Sequence, residues 1–268
     1  MHFSVAAWHA PVSEGSATGR VLRALCDGLL EIGHTLDVWV WGEGAAGHSE
    51  TADWPAWARW EPLPPRPHWR MHARALLRPR TEVALAGWEP RPGAIALADE
   101  PLSFPAVEKA SRNCVVVHFA AQLDGEALGV RTAQHVQNRR LDRYVARRAD
   151  LLLAYSARVA ASVGHNATPV PVPFPVPDEP LPPVDAPVAA MLADWSWAPN
   201  RAALELLIRR WPDVRSAVPD ARLLIAGRGD TGAVPADGIR VVGEVATSSQ
   251  FLAGAASLAF PCPPTSGP

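Results

Sequence analysis

Four short stretches carry residue types that suit work on a phosphate-bearing or hydroxyl-bearing ligand. Gly227-Arg228-Gly229 follows the apolar run 223–226. Flanking glycines let backbone amides approach a phosphate, and the arginine supplies counter-charge. A surface arginine in a tight turn has the same sequence. His118 lies near the end of the β-rich run 114–119. Histidine titrates near neutrality and suits proton handling, and it serves equally as a hydrogen-bonded structural residue. Asp99 and Glu100 end the run 94–98 and either bind ligand hydroxyls or form an acidic turn. Gly243, Glu244 and Val245 close a further run that begins at Ile239. No Gly-x-Gly-x-x-Gly opens a helix after the first apolar run, which disfavours a dinucleotide-binding dehydrogenase.

The totals narrow the class. The chain has 268 residues, a formal charge of -2, 48% hydrophobic and 19% charged residues, the profile of a globular enzyme. A near-neutral balance gives no general pull toward nucleic acid, and none is expected as a partner. Cys26, Cys114 and Cys262 lie far apart, without metal-ligand spacing. An odd count with no pairing pattern points to free thiols in a reducing compartment. The first eight residues lack the basic leader of a signal peptide. No run reaches the ~18 apolar residues of a membrane helix. The expected location is the cytoplasm.

Strands are expected over 2–8, 35–41, 94–98, 114–119, 151–155 and 168–172, with helices over 21–32, 70–77, 102–111 and 131–148. Ser156 is placed to cap a short helix. The last long helix carries Arg139, Arg140, Arg143, Arg147 and Arg148. A solvated face accounts for these, and weak peripheral contact with an anionic membrane at its inner face is the alternative. Trp54, Trp57, Trp60 and Trp69 sit in an insertion over 42–69, either tethering it to the domain or offering faces to a sugar. The chain has 28 prolines, about twice the usual share. Those between Pro169 and Pro187 divide two repeating α/β patterns, and the expected division is 1–173, a linker over 174–188, and 189–268. In the second part, a helix is expected over 201–211 and a further helix segment between Pro212 and Pro219, with strands over 223–226, 239–242 and 258–260. Strand–helix alternation predicts two Rossmann-like, doubly wound parallel sheets. Ligands of such sheets sit at the carboxyl ends of strands, so the two rims are expected to face a shared cleft.

The ordered motifs Trp197-Ala-Pro-Asn200, Leu223-Leu-Ile-Ala-Gly-Arg-Gly229 and Val241-Val-Gly-Glu-Val245 resemble the nucleotide-sugar-binding domain of GT-B glycosyltransferases, especially the retaining family 4. Ala149-Asp-Leu151 leading to Ser156, and the strand–loop–helix opening, resemble the first domain of that family. The resemblance implies transfer of a sugar from a nucleoside-diphosphate sugar to an acceptor hydroxyl, with retention and without a required metal. A sugar-nucleotide epimerase and a non-catalytic sugar- or nucleotide-binding module are the competing readings. His118 matches the family's histidine near the reacting sugar. Gly227, Arg228, Gly229, Gly243, Glu244, Val245, Thr265, Ser266 and Gly267 fall on the donor side. Gly15, Ser16, Ala17, Asp99 and Glu100 fall on the acceptor side, although Ser16-Ala17 stands where the family has a glycine pair. Family members continue past the turn matched by Thr265, Ser266 and Gly267 into a helix that grips the donor, so the chain resembles an amino-terminal portion.

Overall fold

The computed structural model describes residues 1–13, 16–42, 45–62, 88–118, 133–173, 183–232 and 236–261. The chain packs as two compact units, Met1–Pro175 and Val176–Gly267.

In the first unit seven strands form one parallel sheet: β1 (His2–Ala7), β2 (Thr35–Val40), β3 (Ala58–Trp60), β4 (Ile95–Asp99), β5 (Asn113–Val117), β6 (Leu151–Ala154) and β7 (Ala167–Pro169), in the order β3-β2-β1-β4-β5-β6-β7. All five residues of β5 are buried. A central parallel strand is covered on both faces, so its sequence runs apolar without alternation. Neighbouring residues still point to opposite faces. Val5, Val38, Leu97 and Val116 join one core, with Val21, Leu22 and Cys26 of helix α1 (Ala17–Glu31). Ala6, Trp39, Ala98 and Val115 join the other, which Phe104 and Val107 of α2 (Phe104–Val107) complete. Leu141 and Val145 of α3 (Ala133–Ala146) and Val159 and Val163 of α4 (Ala157–Val163) pack there too. Burial of Cys114 pushes its thiol up to about 12, and burial with nearby Asp99 and Asp27 raises Cys26 as well. Both therefore stay protonated and unreactive.

The second unit holds β8 (Val188–Leu192), β9 (Arg222–Ala226), β10 (Ile239–Gly243) and β11 (Ser257–Leu258), all parallel, in the order β10-β9-β8-β11. Helix α5 (Ala198–Ala217) lays Ala203, Leu204 and Trp211 on Met191, Leu223 and Ile225. A short α6 (Ser248–Leu252) is capped by Thr247. Parallel α/β architecture is thus the observed fold class. Among the described residues no helix is long and apolar enough to cross a membrane.

Several local expectations need correction. The helix expected over 102–111 is a 3-10 turn, Pro101–Ser103, followed by the single turn of α2. Pro101 and Pro105 each stand in the first turn of their piece, where a missing backbone donor is tolerated, so they mark two short starts in place of one helix. The helix expected over 201–211 and the segment expected between Pro212 and Pro219 are one continuous helix to Ala217. Burial of Leu204 and Trp211 outweighs the one backbone bond the proline omits. Strand β3 is an addition to the expected set, because three residues carry no readable period. Its neighbourhood explains three of the tryptophans. Trp54 Nε1 donates to Ala58 O at 2.8 Å, Trp60 Nε1 donates to Gly42 O at 3.0 Å, and Trp57 packs against the core beneath Arg23. They tether the insertion. Trp69 and the helix expected over 70–77 lie outside the described residues.

Candidate functional site

In the first unit the strand order reverses between β1 and β4. Loops leaving the carboxyl ends of those strands diverge, and this switch point is where open α/β sheets take ligands. Register fixes what stands there. Ala7 lies beside Asp99, and Asp99 lies beside Val116. The rim therefore collects Trp8 and His9 after β1, Asp99 and Glu100 at the end of β4, His118 after β5, and Tyr155 after β6.

His118 and Asp99 form a buried pair. The Nε2–H of His118 donates to Asp99 Oδ1 at 2.5 Å, and Asp99 is 0% exposed. Tyr155 sets its ring edge-on to the imidazole at 4.9 Å. Burial opposes protonation of His118, but the charge and hydrogen bond of Asp99, with Glu100 beyond, outweigh it and raise the imidazole above its ordinary value. Asp99 Oδ2 and the Tyr155 hydroxyl are buried without hydrogen-bond partners. A histidine held this way keeps Nδ1 as its second functional nitrogen, oriented by the carboxylate behind it.

Glu100 has φ 76°, the one positive value among the described non-glycine residues. Such a conformation costs on the order of 1–3 kcal/mol. Its backbone is pinned, with N donating to Val116 O at 2.9 Å and O accepting from Ser103 N at 3.1 Å. Its carboxylate lies 3.6 Å from His9 Nε2. Ser16 caps α1 by accepting from Gly19 N at 3.0 Å and lies 3.4 Å from His9 Nδ1; Ala17 is the first helical residue. A Cβ on Gly19 would meet Ala10 O at 2.0 Å, so glycine there lets the β1 loop press against the helix.

Glu100, Leu102, His118, Asn138, Leu141 and Asp142 line an open recess of about 90 Å³. Asp142 is missed by sequence reasoning because it looks like an interruption in a basic helix. The exposed side of that helix carries the arginines, while Leu141, Asp142 and Val145 turn inward. Burial pushes the Asp142 carboxyl up to about 6. Its folded form is harder to ionise than its unfolded form, so stability falls as pH rises from about 4 to about 6 and stays lower above that. A rise from 3.8 to about 6 is worth about 3 kcal/mol. Asp142→Asn is therefore expected to raise stability by about that amount at pH 7 and to change it little at pH 4, as thermal unfolding at the two values will show.

The second unit brings its expected turns together. Gly227 N donates to Gly243 O at 2.9 Å, and Trp195 N donates to Arg228 O at 2.9 Å. Gly227, Gly229 and Gly243 have φ of 133°, 88° and 85°. Arg228, Gly229 and Glu244 are exposed and Val245 is half-buried. Arg228 is engaged, donating from Nη2 to Asp194 Oδ2 at 2.7 Å. Asp194 Oδ1 accepts from Ser196 N at 2.9 Å and from Ser196 Oγ at 2.5 Å. Partial burial favours the protonated acid, but these bonds from Ser196 and Arg228 outweigh it and hold Asp194 below the usual carboxylate range. Asn200 Nδ2 donates to Asp194 O at 2.8 Å, which ties the Trp197–Asn200 turn to the same loop. Gly15, Thr265, Ser266 and Gly267 lie outside the described residues.

No protein-family model and no curated protein matches the sequence. Solved structures match it in fold. TarM aligns with a TM-score of 0.68 at 7% identity, over 96% of this chain and 80% of that one. The UDP-GlcNAc 2-epimerase of Methanocaldococcus jannaschii aligns at 0.53 and 9% identity, over 94% and 76%. The lipopolysaccharide outer core galactosyltransferase WaaB aligns at 0.50 and 11% identity, over 96% and 73%. The match to a mutant S. aureus TarM covers only 36% of that longer chain. Identities this low establish a fold, and the fold is GT-B.

Proposed function

We propose that this chain belongs to a glycosyltransferase that moves a sugar from a nucleoside-diphosphate sugar to an acceptor hydroxyl with retention and without a metal. The reading rests on the buried Asp99–His118 pair at the switch point of a fold shared with a galactosyltransferase. In the reaction the acceptor oxygen bonds the anomeric carbon as the bond from that carbon to the diphosphate breaks. The diphosphate leaves with the electron pair and takes up the proton of the acceptor hydroxyl. His118 meets the reacting sugar through Nδ1. Gly15, Ser16, Ala17, Asp99 and Glu100 serve the acceptor. Gly227, Arg228, Gly229, Gly243, Glu244 and Val245 serve the donor, with Thr265, Ser266 and Gly267 further along. The protein works in the cytoplasm. The arginine-bearing face of α3 offers weak contact with an anionic membrane surface.

Arg228 supplies counter-charge only by leaving Asp194. Asp194→Asn keeps a carbonyl oxygen for Ser196 and removes the competing charge. It is expected to tighten UDP or GDP binding about fivefold, while Arg228→Ala weakens it about tenfold. Calorimetry reads both, and unchanged affinity in Arg228→Ala removes Arg228 from the donor site. The likeness to a UDP-GlcNAc 2-epimerase favours a second reading, isomerisation of a sugar nucleotide. Incubation with UDP- and GDP-hexoses and a sugar acceptor separates the two. A new glycoside with its donor's anomeric configuration supports transfer, and an isomerised donor supports the epimerase.

A further inference from the structure

The recess beside His118 has a charge balance that selects its occupant. Asp99 is matched by His118, which it holds at 2.5 Å and favours as the cation. Glu100 and Asp142 are left over on the walls. Glu100's side chain is 9% exposed, its Oε1 is buried with no hydrogen-bond partner, and the His9 ring nitrogen facing it, Nε2, stands off at 3.6 Å. No described residue donates a hydrogen bond to Asp142's side chain, and at pH 7 that group is ionised. Two carboxylates without hydrogen-bond donors among the described residues, set beside an oriented imidazole, form a receptor for N–H and O–H donors that carry positive charge. An anionic acceptor would face both carboxylates unpaired.

Building on the transferase reading, we infer that this recess seats an acceptor bearing an ammonium group beside its hydroxyls, an amino sugar or aminocyclitol, with Glu100 and Asp142 gripping the ammonium. The strained backbone of Glu100, bonded to Val116 and Ser103, then fixes the place where this residue meets the recess.

The test uses the 268-residue chain at pH 7 with glucosamine, glucose, N-acetylglucosamine and glucuronate as probes, followed by ligand-observed NMR titration. Glucosamine is expected to bind about tenfold more tightly than glucose or N-acetylglucosamine, with glucuronate weakest. Glu100→Gln and Asp142→Asn are each expected to bring glucosamine down to the level of glucose. Because Asp142→Asn removes a buried charge and is expected to be more stable than the parent, its loss of preference is not a folding defect. Equal binding of glucosamine and glucose, tighter glucuronate, or a preference that survives both substitutions overturns the inference. UDP and GDP titrations run alongside. Nucleotide binding without amine preference leaves the transferase standing and removes the ammonium site. Amine preference in a chain that neither binds nucleotide nor transfers sugar keeps the site and removes the transferase.

Discussion

Replacing His118 with alanine is expected to lower stability by about 3 kcal/mol and turnover by about a hundredfold or more, and adding Asp99→Asn is expected to restore most of the stability and none of the turnover. The reason lies in what remains after the first change. Asp99 is 0% exposed, its Oδ2 already lacks a partner, and His118 is the donor to its Oδ1. Removing the imidazole leaves an uncompensated buried carboxylate, which costs several times more than the pair is worth intact. The second substitution neutralises that site, so the cycle reports a coupling between neighbours that single variants hide. pH adds a signature. The folded imidazole titrates above the ordinary value of 6.5, so its share of stability is fully present below about 6.5 and is lost as pH rises through the folded value. Denaturant unfolding at pH 6 and pH 9 should show the gap between parent and His118→Ala narrowing at the higher value. A gap that does not change with pH, or a double variant as unstable as the single one, defeats the paired-charge account. Full turnover in His118→Ala removes the residue from the reaction.

Gly227→Ala is expected to unfold the second unit or cost more than about 4 kcal/mol. A Cβ there would lie 1.8 Å from Ala193 O at φ 133°. Neither atom can yield, because Ala193 N is itself bonded to Ala226 O at 3.2 Å and Gly227 N to Gly243 O at 2.9 Å. Gly232 provides the control. It has φ 62° with open space around its Cβ position, so Gly232→Ala meets only the left-handed penalty of about 1 kcal/mol. Hydrogen exchange over β8 and β9 distinguishes the two. Equal protection in both variants would show that the glycine serves ligand approach and not the packing of the turn on β8.

The elements that position the site were readable where one local rule was strong. The apolar run at β5, the Ser156 cap and the glycine turn at Gly227–Gly229 each depend on neighbours within a few residues. Ser156 Oγ accepts from Val159 N at 3.1 Å, as its place before a helix implies. Reading failed where several weak signals compete. Pro212 is a helix breaker by its own chemistry, yet tertiary burial of Trp211 carries the helix past it. The helix placed over 102–111 is instead two short pieces, each opened by a proline in its first turn, a start signal that periodicity does not register.

By itself the sequence determined the alternation of strand and helix, the places where strands end, and therefore which residues reach the rims: hydrophobic period and turn chemistry act over short spans of chain. Tertiary structure alone decided the partnerships among those residues. Register between β4 and β5 places Asp99 within hydrogen-bonding reach of His118. Packing of the turn after β9 against the loop after β8 gives Arg228 to Asp194. The rotation of α3 about its axis turns Asp142 inward while its arginines face water. Charge and burial act through space, so groups distant along the chain set each other's protonation and pairing, and no local pattern carries that information.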